Sequence, residues 1–177
     1  FSEKLSCYDG TVSLRGDSVS VSVVAWNEAD VMAIRVDDHR AIRSGIQVDL
    51  SALRPLVARR GNHQALSRLD TTSGAISLTQ RFTEDSFYTA SALCIRATGA
   101  GVSTEISGRT TATLMISPGK GPVTVYIASA ASDHRGDRDI AAAREALSSA
   151  EASGFDAIAA QTAASWHRFW DKGYVYL

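Results

Sequence analysis

Val19-Ser20-Val21-Ser22-Val23-Val24-Ala25-Trp26 is the run that decides the fold. β-Branched residues alternate with serine at every second position through Val23. That is the period of a strand with one face on a core and the other in water. The same period continues downstream in Met32, Ile34 and Val36, then in Ile46, Val48 and Leu50. It returns in Ile76, Leu78, Gln80 and Phe82, in Leu93 and Ile95, and in Val102, Thr104 and Ile106. Leu114 and Ile116, then Val123, Val125 and Ile127, close the series. Ser, Thr and Arg fill most intervening positions, which suits the solvated side of a sheet.

Turn residues separate these runs: Asp9-Gly10, Arg15-Gly16-Asp17, Thr72-Ser73-Gly74, Thr98-Gly99-Ala100-Gly101 and Ser117-Pro118-Gly119-Lys120-Gly121-Pro122. Short glycine-rich gaps between alternating runs favour antiparallel hairpins and meanders. About eight such strands bury their apolar faces most economically as two packed sheets, an antiparallel β-sandwich. Arg54–Asp70 shows no clear period around Arg59-Arg60-Gly61-Asn62-His63, and reads as a long loop between sheets, with a short helix as the alternative.

Beyond Ser129 the period changes. Asp139–Ala152 is rich in Ala, Glu, Arg and Leu, with Asp137 or Asp139 placed to cap a helix. Ser153-Gly154 interrupts, and Asp156 helps to start a second helix. On that second helix Phe155, Ile158, Thr162, Trp166, Phe169 and Trp170 share one face. Lys172–Leu177 reads as the beginning of another strand. The chain thus divides into a sandwich over residues 1–130 and a helical linker over 131–177, whose aromatic face expects a large packing partner.

The chain has 177 residues, 45% of them hydrophobic and 21% charged, with a net charge of −1. That is the composition of an ordinary globular protein, with no charge excess to attract nucleic acid or an anionic membrane. No apolar run approaches the roughly 18 residues that span a bilayer. Opening on Phe1, the chain reads as a processed or excised segment. Cys7 and Cys94 lie far apart within expected strands and read as buried free thiols.

No group of residues reads as catalytic, and no cofactor or metal is expected. Asp133-His134-Arg135-Gly136-Asp137-Arg138-Asp139 is the densest polar cluster, but helices ordinarily begin in Asp-rich loops and the arginines would repel a cation. Asp37-Asp38-His39-Arg40 ends a strand and reads as a solvated turn. Arg-Gly-Asp occurs at Arg15–Asp17 and Arg135–Asp137, both in turn contexts. Gly119-Lys120-Gly121 lacks the Ser or Thr and the spacing of a phosphate loop. Neither Gly-x-Ser-x-Gly nor HExxH is present, and His39, His63, His134 and His167 are scattered. Trp26 is the one candidate sugar-stacking residue, weighed against packing at the end of its strand. Trp166 and Trp170 read as packing residues, because they share a helical face with Ile158 and Phe169.

Three segments carry a family resemblance: Ala142-Ala143-Arg144-Glu145-Ala146-Leu147, Gly154-Phe155-Asp156 and Trp166-His167-Arg168-Phe169-Trp170-Asp171-Lys172. Together they resemble the segment that joins an N-terminal β-sandwich to an (α/α)6 barrel in six-hairpin glycosidases, the alpha-L-fucosidase family 95 group in particular. The opening, from Leu5 through Thr11-Val12 to Ala29-Asp30-Val31, is also similar to the start of those sandwiches. Connectors of that group often carry a histidine one turn before the first tryptophan, and here Thr162 stands at that position.

The resemblance implies a non-catalytic domain of a periplasmic or secreted glycoside hydrolase. The partner would be a barrel domain of the same chain, packed against Phe155, Ile158, Trp166, Phe169 and Trp170. The acid and base carboxylates of that family lie in the barrel, so none is carried onto this sequence. A stand-alone carbohydrate-binding module using Trp26, with an oligosaccharide as partner, and a structural or adhesive sandwich are the competing readings.

Overall fold

The computed structural model describes residues 1–72, 74–99, 101–136 and 138–173. It is mainly β, with twelve strands among the described residues and two helices at the C-terminal end. β1 (Ser2–Ser6), β2 (Thr11–Gly16), β3 (Val19–Trp26) and β4 (Val31–Asp38) form an antiparallel meander. β12 (Val123–Ser132) pairs with β4 and carries the sheet on to β9 (Phe87–Thr98), β8 (Ala75–Glu84), β7 (His63–Thr72) and β6 (Val57–Arg60). A second sheet has the order β10 (Val102–Ile106), β11 (Thr111–Ile116), β5 (Ile46–Ser51).

The two faces of the large sheet have different partners. On one face Ile76, Leu78, Ile95 and Val125 pack against Leu50, Leu114 and Ile116 of the small sheet, which makes the antiparallel sandwich. On the other, Val24, Ala33, Ala92, Cys94, Tyr126 and Ala128 meet Ala143 and Leu147 of α1 (Arg138–Ser153) and Ile158 of α2 (Phe155–Trp170). Alternation explains the division: on β12, Val125 and Ile127 point to the small sheet while Tyr126 and Ala128 point to the helices. Both faces of this strand are apolar because both are covered. Alanines at Ala92, Ala128, Ala143 and Ala150 line the helix contact and let α1 lie close on the sheet.

Arg54–Asp70 is a correction. It contains β6 and most of β7, joined by a hairpin whose loop is Gly61-Asn62, with Arg60 opposite His63. Gly61 takes φ 60°, the left-handed conformation that a two-residue hairpin loop demands. The segment hides its period because β6 is a sheet edge, where Arg59 and Arg60 face solvent and no core imposes alternation. This hairpin accounts for part of the excess over the expected eight strands.

Cys7 is a second correction. It lies in the turn after β1 and is exposed, whereas Cys94 is buried in β9, and both are free thiols. Burial pushes the Cys94 thiol above its ordinary value, despite the opposing charges of Arg144 and Arg96.

Asp139 sits inside the first turn of α1, fully buried, and neither carboxylate oxygen has a hydrogen-bond partner among the described residues. It is therefore not a cap, and the alternative cap, Asp137, lies outside the described residues. The Ser153-Gly154 break is observed, with Gly154 at φ 78° as the residue before α2. The strand expected at Lys172–Leu177 falls mostly on residues outside the described part.

Candidate functional site

The aromatic end of α2 is built on a turn from the opposite end of the chain. α2 crosses β3 with Ile158 and Thr162 fully buried, one helical turn apart. The Thr162 hydroxyl reaches the carbonyl of Ala25 and the side-chain oxygen of Asn27, each at 3.4 Å. Next along the same stripe is Trp166, whose indole lies over Gly10 in the β1–β2 turn. Gly10 has φ 66°, and a Cβ there would stand 2.2 Å from Trp166 Cδ1. Only glycine meets both conditions.

The turn holds the helix end through four further contacts. Trp170 Nε1 donates to the Cys7 carbonyl at 2.8 Å. The Tyr8 ring stacks on His167, with centroids 4.0 Å apart and planes at 18°. His167 Nε2 stands 3.0 Å from Asp9 Oδ1, and the Tyr8 hydroxyl donates to Asp171 Oδ1 at 3.2 Å. Asp9 is itself fixed by the Ser6 hydroxyl, which donates to its Oδ2 at 2.6 Å. That hydrogen bond, and then the His167 contact, hold the Asp9 carboxyl below its ordinary value. Burial first, and the Asp171 carboxylate second, push the Tyr8 phenol above its usual range.

Trp166, Phe169 and Trp170 form one aromatic cluster. Trp166 and Trp170 stack at 6.3 Å, and Phe169 meets both rings edge-on at 5.8 and 5.1 Å. The three remain 39, 60 and 42% exposed. Ile158, by contrast, packs wholly against this chain's own sheet and helices. Phe155 is partly buried beside it, with the Arg35 guanidinium 5.8 Å from the ring centroid. Arg35 also donates to Asp156 at 2.8 Å, and Arg96 pairs with Glu151 at 2.6 Å, so both helices are tied to the sheet by charge as well as apolar contact.

Trp26 is taken up in packing. It is partly buried against the helix-side core, and its N–H donates to Gln161 at 2.9 Å. The Arg40 guanidinium, with its backbone N–H, clasps Asp38 and lowers that carboxyl to about 2, and His134 pairs with its neighbour Asp133. Among the described residues no group of three or more His, Cys, Asp or Glu could hold a metal ion. No helix among them is long and apolar enough to cross a membrane.

Sequence periodicity places Trp166, Phe169 and Trp170 together but misses their partners Tyr8, Asp9 and Gly10. Asp9-Gly10 signals a turn, and nothing in its local sequence says that the turn faces a helix some 160 residues later.

The fold is thus an antiparallel sandwich whose large sheet carries two terminal helices, with an aromatic cluster latched to the first turn. No family model matches the sequence, and no curated protein matches it. Among solved structures, a putative kojibiose phosphorylase from the human microbiome is similar in fold, with a TM-score of 0.59 at 12% identity. The likeness covers 95% of this chain and 24% of that one, so this chain spans about a quarter of its length.

Proposed function

We propose that this chain is the non-catalytic N-terminal sandwich domain of a larger glycan-active enzyme, and that it supports a catalytic (α/α)6 barrel. The carrying observation is the asymmetry of the likeness: nearly all of this chain corresponds to a quarter of a putative kojibiose phosphorylase. The aromatic end of α2 adds physical support. Three large rings in one cluster are held in place from behind by the 7–10 turn, yet keep 39 to 60% of their surface in water. A rigid, half-exposed aromatic patch is the kind of anchor that interfaces use.

On this reading Trp166, Phe169 and Trp170 contact the barrel, while Phe155 and Ile158 fix the helix that presents them. Resemblance to the family 95 fucosidases points to hydrolysis, and likeness in fold to a putative phosphorylase points to phosphorolysis. The test is an assay of this chain, and of the chain continued through its downstream reading frame, on aryl glycosides and disaccharides with and without inorganic phosphate. The short chain should be silent and the extended one active, with phosphate dependence separating the two chemistries. Turnover by the short chain alone would overturn the proposal.

A further inference from the structure

The inner face of the large sheet extends beyond the small sheet that roofs it, and the strand register arranges that open end in rows. Leu69, Leu78 and Leu93 stand side by side across β7, β8 and β9, packed against the core under the small sheet. The next row outward is Ser67, Gln80 and Ser91; the one after it is Ala65, Phe82 and Thr89. Successive rows on one face are two residues apart, about 6.8 Å. A polar row therefore lies beside an aromatic one at roughly the width of a pyranose ring.

A cleft of about 600 Å³ occupies this end, walled by Leu50, Leu53 and Pro55 at and after the end of β5. That volume falls within the range of small-molecule sites. At its outer end Phe82 meets Phe87 edge-on at 6.1 Å, and His63 lies 6.3 Å from Phe82. His63 is held in turn by Glu84, Nδ1 to Oε2, at 3.1 Å. Phe87 is 57% exposed, so its ring is offered to solvent. The Gln80 amide lies 3.4 Å from the Ser67 hydroxyl, and Gln80 and Ser91 are both solvent-facing.

We infer that this cleft binds a neutral carbohydrate, with a sugar ring against Phe82 and Phe87 and its hydroxyls on Ser67, Gln80 and Ser91. The chemistry selects the class. An aromatic ring face attracts the C–H face of a sugar, while amide and hydroxyl groups both donate to and accept from sugar hydroxyls. The row of Ser67, Gln80 and Ser91 is uncharged and suits a hydroxyl-rich ligand, while Arg54 and Arg81 also line the cleft and the His63–Glu84 pair flanks the rings on the other side. The inference stands on register and lining, independently of the docking role assigned to α2. Failure of either therefore leaves the other standing.

The test is a titration of the protein with maltotriose, cellotriose and laminaritriose, followed by amide NMR. Saturable shifts from at least one sugar should be confined to β7, β8 and β9 and the Gln80 side-chain amide, with a dissociation constant near millimolar, about 1 mM. Gln80→Ala and Phe87→Ala change solvent-facing side chains, so each should keep the melting temperature while weakening binding about tenfold or more. No saturable shift up to about 20 mM, or binding unchanged in both variants, would overturn the inference. So would concentration-dependent self-association relieved by Leu53→Ser, which would give the cleft to a second copy of the chain.

Discussion

The indole of Trp166 lies so closely over Gly10 that a Cβ on that residue would stand 2.2 Å from Cδ1 and 2.3 Å from Nε1. The two ends of the chain are therefore locked by shape, and the hydrogen bonds around them orient a contact that sterics already define. Gly10→Ala must expel the ring and adopt φ 66° with a side chain present. A loss of about 2 kcal/mol is expected from strain plus lost packing. Thermal melting reads the loss, and a red shift of tryptophan emission reads the displaced indole. A variant that melts and emits like the parent would mean that α2 does not rest on this turn.

Acid should weaken the same latch. The Asp9 carboxyl, ordinarily near 3.8, is held lower in the folded chain, so the unfolded chain takes up that proton first as pH falls. Its contribution is complete at neutral pH, where both states are ionised, and is lost as pH drops below about 3.8 through the folded value. Asp38, lowered to about 2 by Arg40, acts in the same sense between 3.8 and about 2. Asp9→Asn and Asp38→Asn should each lower stability at pH 7 and flatten its acid dependence. Chemical denaturation at several pH values checks this, and a slope equal to the parent's in both variants would refute it.

The β2–β3 hairpin offers a gain. Its loop is Asp17-Ser18, between the paired residues Gly16 and Val19, and both loop residues have positive φ, 48° and 60°. Such loops prefer glycine at the second position, where serine carries a left-handed penalty. Ser18→Gly should raise stability by about 0.5–1 kcal/mol, visible as a higher urea midpoint with an unchanged slope. The Arg-Gly-Asp at Arg15–Asp17 runs from the end of β2 into this loop, with Gly16 paired to Val19 and Asp17 the first loop residue.

What could be read in advance follows from what the physics makes local. Val19–Trp26 and Val123–Ile127 declare strands because burial enforces a period within each run. Phe155–Trp170 declares a helix in the same way. Arg54–Asp70 concealed a hairpin because its edge strand answers to no core. Period also cannot say what covers a face: Tyr126 and Val125 are equally buried, yet one meets helices and the other a sheet. The candidate site was half legible for the same reason. Trp166, Phe169 and Trp170 announce a common face, but Tyr8, Asp9 and Gly10 join it through topology alone, which puts β1 at the end of the sheet where α2 terminates.

Two substitutions on α2 separate the helix's internal role from its outward one. Ile158 is fully buried between α2 and the sheet, so Ile158→Ala leaves a cavity and should cost about 2–5 kcal/mol. Phe169 is 60% exposed and, among the described residues, its ring contacts are with Trp166 and Trp170, so Phe169→Ala should cost under about 1 kcal/mol in this chain. On the proposed docking to a barrel, the second substitution should become the more telling one in the extended chain, because there the ring would fill an interface. Melting of both variants in the short and extended chains makes the comparison. If Phe169→Ala costs no more in the extended chain than in the short one, the aromatic cluster is not where the barrel docks.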